Sequence, residues 1–94
     1  MNENSIIVRG DRHLETELGP EVVLMHLEEG RFFTLSGTAR RFWELIEQPV
    51  SIGSVTDRLL LEFAVDRQTC LAEVIALCRD LQSRTLIHVA EGAA

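Results

Sequence analysis

The chain has no lysine. All nine of its basic residues are arginine, they face fifteen acidic residues, and the formal net charge is −6. The stretch through Leu35 carries −4 of that charge and the remainder carries −2. A surface this acidic repels phosphate backbones unless its cations gather on one face. Nucleic acid is therefore not an expected partner, whereas a neutral or weakly basic peptide meets no such penalty. No apolar run is long enough to span a bilayer, and the opening MNENSIIVRGD lacks the layout of a secretion signal. The expected location is the cytoplasm, with no membrane partner. Catalytic signatures are missing as well: there is no Gly-rich phosphate loop, no Cys-x-x-Cys, no His-Glu-x-x-His and no Gly-x-Ser-x-Gly. His13, His26 and His88 stand alone in the sequence. His26 lies among apolar neighbours, with nothing at useful spacing to orient it as a base. Glu28 and Glu29 are adjacent in a turn, so they point apart and read as solvated. No catalytic residue, metal or cofactor is expected.

Cysteine is scarce. Cys70 and Cys78 are eight residues apart in a segment that reads as helix. Eight helical residues separate two backbones by roughly 12 Å. A disulfide spans only about 4.4–6.8 Å between Cα atoms, so the two cannot pair with each other. They read as small buried side chains.

What is present is enough for one domain and one core. Ninety-four residues leave no room for a second, and the core is expected over about residues 5–89. A core of this size is too modest to enclose a deep active site, which favours a binding module over an enzyme. The hydrophobic period changes once, near Leu35. Before it, Ile6-Ile7-Val8 reads as a short strand, Asp11 to Pro20 as a polar connection, Glu21 to Leu27 as a strand apolar on both faces, and Arg31 to Leu35 as a returning strand after Gly30. These three strands predict an antiparallel meander, with the middle strand covered on both sides.

After Leu35 the spacing is helical. Ser36-Gly37-Thr38 supplies caps for a first helix carrying Ala39, Phe42, Trp43 and Ile46, which Gln48-Pro49 stops. Either Ser51 or Ser54 opens a second, lined by Val55, Leu59 and Phe63. Ala64-Val65-Asp66 ends it, and a third runs from about Arg67 to about Arg84. Around that third helix Leu71, Val74, Ile75, Cys78 and Leu81 cluster on one side, and Cys70 and Leu77 widen the arc beyond a minimal stripe. One reading is deep burial in the domain's own core. The other gives one flank to the core and the second to a groove. Leu86 to Val89 suggests a last short strand, and Glu91 to Ala94 a frayed tail. The fold class expected is α+β, with a three-stranded antiparallel sheet followed by three helices.

Phe32-Phe33 carries the most functional information. Alternation sends one ring to each face of the strand, so one ring joins the core and the other needs separate cover. The strand is also last in its meander, so one edge is open. An open edge beside an apolar helix is what strand addition by a peptide requires. The same edge could pair with a second copy to give a homodimer.

These features resemble the PqqD-like proteins, the precursor-peptide recognition elements of ribosomal peptide-modifying systems. The resemblance is carried by Val22 to Leu27, by Gly30-Arg31-Phe32-Phe33-Thr34-Leu35-Ser36, by Phe42-Trp43-Glu44-Leu45-Ile46, by Ser51-Ile52 leading to Leu59, by Glu62 to Asp66, and by Leu81 to Ile87. Ser36 stands where the family often has Asn, and Thr85 where it often has Gly. The Pro-containing strand end of PqqD proper is absent, and the Gly-Arg-Phe-Phe-x-Leu pattern is closer to the leader-binding proteins of lasso-peptide clusters. The resemblance implies a winged-helix-like fold and a leader peptide that adds as a strand and lies against the third helix. By position it implies peptide contacts from Arg31, Phe32, Phe33, Thr34 and Leu35 on the strand. On the helix it implies Leu71, Val74, Ile75 and Cys78. The implied partners are the precursor peptide and a modifying enzyme, a leader protease in the lasso case. The competing readings are a winged-helix DNA-binding protein and PqqD proper of pyrroloquinoline quinone biosynthesis.

Overall fold

A computed structural model of the chain describes residues 1–90; the expected tail at Glu91 to Ala94 lies outside them. In chain order the elements are β1 (Ile6–Arg9), β2 (His13–Leu18), β3 (Glu21–His26), β4 (Phe32–Leu35), α1 (Gly37–Leu45), β5 (Val50–Ser51), α2 (Ile52–Glu62), α3 (Arg67–Ser83) and β6 (Ile87–Ala90). The three helices and the antiparallel three-stranded meander agree with the α+β expectation, but the membership of the meander differs. Its strands are β2, β3 and β4. Ile6–Arg9 belongs to a second sheet of order β5-β1-β6.

The polar segment read as a connection is thus a strand, and the reason is its position. β2 is an edge, so its inward positions meet polar partners instead of a hydrophobic core. By register Glu15 lies opposite Leu24 and Glu17 opposite Val22. The Glu15 carboxylate accepts a hydrogen bond from the Trp43 indole at 2.6 Å, and Glu17 pairs with Arg40 at 3.2 Å. No apolar alternation is needed there, so none is written. Gly19, at φ +61, opens the two-residue turn to β3, which suits a glycine-first hairpin.

β3 is central within its sheet, yet only one of its faces is covered. Val22, Leu24 and His26 are buried, while Val23 and Met25 are half-buried. The outer face also displays Leu14, Leu18, Leu27 and Phe32, each more than half exposed. The expectation of cover on both sides is therefore corrected: the helices all lie on the inner face. There α1 packs on β3 and β4, α2 packs on α1 and α3, and α3 reaches back to β6. The two sheets and three helices share one core, built on Ile7, Leu24, Leu35, Phe42, Trp43, Ile52, Leu59, Cys78 and Leu81.

The caps follow local chemistry. Ser51, rather than Ser54, caps α2, its hydroxyl accepting from the Ser54 backbone N–H at 3.1 Å. Asp66 caps α3 through the Thr69 N–H at 2.9 Å and the Thr69 hydroxyl at 2.7 Å. Among the described residues no helix is long and apolar enough to cross a membrane.

Three titratable groups in and beside this core give measurable consequences. His13 lies edge-on to Trp43, with ring centroids 5.3 Å apart. Burial holds its pKa below the ordinary 6.5, with Glu15 pulling the other way. A lowered histidine pKa means that the unfolded chain binds the proton more readily, so the stabilisation is complete above pH 6.5 and declines as the pH falls below it. Thermal midpoints measured between pH 7.5 and pH 5 should therefore drop more steeply for the wild type than for His13→Phe, and parallel curves would contradict this. Burial also pushes the Cys78 thiol up to about 12 and raises that of Cys70. Both thiols are buried and free. A thiol-reactive dye at pH 7.5 should leave the native protein unlabelled and should react with both once denaturant is added. Rapid labelling of the native state would contradict the burial.

Candidate functional site

β4 pairs with β3 along one side only, so its other edge has no strand partner among the described residues. That open edge lies beside α3. Arg84 at the end of α3 stacks on Phe33 of β4, and two concavities lined by the helix lie beyond the two ends of the strand. The first holds about 640 Å³ and is polar, lined by Glu29, Arg31, Ser83 and Arg84. It sits where the β3–β4 turn enters the strand and α3 ends. The second holds about 240 Å³ and is mostly apolar. Thr38, Ala39 and Phe42 supply it from α1, Leu59 from α2, and Cys70, Glu73, Val74 and Leu77 from α3. It sits where the chain leaves β4 for α1.

The strand and the helix therefore run side by side in opposite directions. Their lengths agree: the four steps from Arg31 to Leu35 cover about 14 Å, and the ten from Val74 to Arg84 about 15 Å. Between the concavities lies Phe33, half-buried, with the Arg84 guanidinium 4.6 Å from its ring centre. That stacking keeps a cation on the apolar floor and covers one side of the ring. Asp80 holds the Arg84 Nε at 3.1 Å, leaving the far end of the guanidinium toward the polar concavity.

The expected strand residues divide by face. Phe33 and Leu35 point inward, opposite Leu24 and Val22, and Arg31 continues that row into the polar concavity. Leu35 is buried in the core, so only its backbone reaches the edge. Phe32 and Thr34 point to the outer face, where Phe32 is 67 % exposed.

The helix positions divide more sharply. Val74 lines the apolar concavity. Cys78 is 0 % exposed and offers no surface, which corrects its place among contact residues. Leu71 and Ile75 are half-buried, but Ile75 lies two residues from Leu77 and so about 160° around the helix from it. They occupy the flank away from the concavity.

Leu77, with Cys70, Glu73 and Val74, lines the apolar concavity from α3. The width of the apolar arc was its signal, since Cys70 and Leu77 extend it on that side. Arg84 and Glu29 had no signal, because their roles depend on where a helix end meets a turn. Among the described residues no three His, Cys, Asp or Glu side chains gather to hold a metal ion.

Comparison with known proteins gives three findings. No curated protein matches the chain. Two solved structures superpose well. One is TbiB1 in complex with the TbiA(beta) leader peptide, 28 % identical, TM-score 0.80, covering 86 % of this chain and 94 % of that one. The other is a lasso peptide synthetase B1 complexed with the leader peptide, 18 % identical, TM-score 0.79, covering 87 % of this chain and 96 % of that one; at that identity the likeness is one of fold. The family described as coenzyme PQQ synthesis protein D (PqqD) matches residues 21–87. That span runs from the first residue of β3 to the first of β6 and contains both concavities, and on this match the chain belongs to the PqqD family.

Proposed function

We propose that this protein is a non-catalytic adaptor that binds the leader of a ribosomally made precursor peptide and delivers it to a modifying enzyme or leader protease, as in lasso-peptide biosynthesis. The observation that carries this reading is the open edge of β4, which runs alongside α3 in the opposite direction with a concavity beyond each end. A peptide strand added there would gain main-chain hydrogen bonds, each worth about 0.5–1.5 kcal/mol net. Its alternate side chains would drop toward Phe33 and the two concavities, giving selection without catalysis. The solved complex of TbiB1 with its leader peptide supports the same use of a similar fold.

Holding the leader raises the effective concentration of the attached substrate at the enzyme and fixes its register. The contact set proposed is Arg31 and Phe33 with the backbone of Phe32 to Leu35, facing Val74, Leu77 and Arg84. The DNA-binding reading finds little support in the charges. Six of the nine arginines are already in ion pairs, at Arg9, Arg12, Arg40, Arg41, Arg67 and Arg84.

The decisive test is titration of the purified protein with a synthetic leader encoded by a neighbouring gene, read by fluorescence anisotropy. Saturable binding is expected, and Phe33→Glu and Leu77→Glu should each weaken it at least about tenfold, roughly 1.4 kcal/mol. Wild-type affinity in both folded variants would remove the groove assignment. Leaders carrying a single proline in the pairing stretch should also bind about tenfold more weakly, because proline deletes a ladder donor. Equal binding across a proline scan would rule out strand addition.

A further inference from the structure

Thr85 is the one non-glycine residue with positive φ among the described residues, at +56°. A β-branched side chain in that region is strained and persists only when its surroundings hold it. Two neighbours do so. On one side Gly10 donates its N–H to the Leu86 carbonyl at 2.8 Å, and a Cβ on Gly10 would come within 2.9 Å of the Thr85 carbonyl oxygen. On the other side the His26 Nε2 lies 2.6 Å from the Thr85 hydroxyl.

The polarity of this contact can be worked out. His26 Nδ1 faces the backbone N–H groups of Glu28 and Glu29, each at 3.2 Å. Both are donors, so Nδ1 must be the unprotonated acceptor, and in a neutral ring the proton sits on Nε2. Nε2–H then donates to the Thr85 oxygen, whose own proton goes to the Arg84 carbonyl at 2.7 Å. Every donor in this relay meets an acceptor, and His26 is buried.

The two ends of this relay belong to opposite walls of the polar concavity. Glu29 and Arg31 come from the β3–β4 turn, and Ser83 and Arg84 from the end of α3. One imidazole bridges the two walls. We propose that His26 is a positioning residue of the peptide groove: its Nε2-protonated ring ties the turn to the end of α3 and sets the width of the groove's polar end. This rests on the leader-binding reading. His26 touches no peptide itself; it acts through Arg31 and Arg84, and through Phe33 beneath Arg84. Thr85 gives up conformational ease and supplies the hydroxyl that receives the tie.

The test uses the full chain and the same synthetic leader. Long-range proton–nitrogen correlation of the imidazole reads the tautomer directly, and amide exchange reads the turn. Thr85→Gly relieves the positive φ while deleting the acceptor, so it should fold at least as well as the wild type. It should nonetheless bind leader about threefold to tenfold more weakly, the worth of one neutral hydrogen bond. Thr85→Ser keeps the hydroxyl and should bind as the wild type does. His26→Ala should lose protection at the Glu28 and Glu29 amides, and His26→Asn, whose side-chain oxygen replaces Nδ1, should recover it. A wild-type ring protonated on Nδ1 overturns the inference, and so does undiminished leader affinity in Thr85→Gly. A wild type that binds no leader overturns the function reading and the groove role of His26 together, whatever the tautomer.

Discussion

The arrangement depends on one indole. Trp43 lies between the two sheets, and each sheet sends it a different contact. From β1 the Arg9 guanidinium stacks 4.2 Å over the ring and also donates to the Trp43 carbonyl oxygen. From β2 the Glu15 carboxylate accepts a hydrogen bond from the indole N–H, and His13 meets the ring edge-on. Arg9 and Glu15 face each other at 3.6 Å, so the charges that approach the ring are themselves paired. Neither sheet has more than three strands. Sheets this small need a hydrophobic partner to be stable, and Trp43, buried on α1, is where both find it. A side chain with a large apolar body and a single polar handle suits that position, because the N–H fixes which edge of the ring β2 must meet.

The groove inherits its geometry from that junction. α1 is anchored on the inner face of β3 and β4, and the sheet order leaves β4 as an edge strand, with Phe33 under the Arg84 guanidinium at the end of α3. An open edge is ordinarily a hazard. Here it is only four residues long and is flanked by Arg31 and by the cap at Ser36, so it is short enough to resist indiscriminate pairing. In the proposed use, the two concavities would supply what the edge alone lacks, which is preference for particular side chains at a fixed separation.

Much of this was legible in the order of residues, and the failures have physical causes. The strands Glu21–His26 and Phe32–Leu35 and the extent of α3 followed from alternation and caps, because in each a repeating apolar face must be buried. β2 was missed because an edge strand whose inward side chains are carboxylates has no apolar period. The assignment of Ile6–Arg9 to the meander failed for another reason. A short β-branched run states that it will pair but not with what, and its partners lie at Val50–Ser51 and Ile87–Ala90, more than forty residues away. In the proposed groove, the inward row of Arg31 and Phe33 and the apolar side of α3 that carries Val74 follow from face and spacing. Leu71, Ile75 and Cys78 were placed with them because an arc of apolar residues does not say which of its margins faces the core.

The sequence by itself determined the fold class, the strands at Glu21–His26 and Phe32–Leu35 and the apolar excess of α3, since each is a property of local spacing and residue type. Only the tertiary structure decided which flank of α3 meets β4, because that is set by how far the helix is rotated over the sheet. It alone also brought Glu29, Ser83 and Arg84 into one concavity and closed the link from the Glu28 and Glu29 amides through His26 to Thr85. Those residues are separated by more than fifty positions in the chain, and no local rule reaches across such a distance.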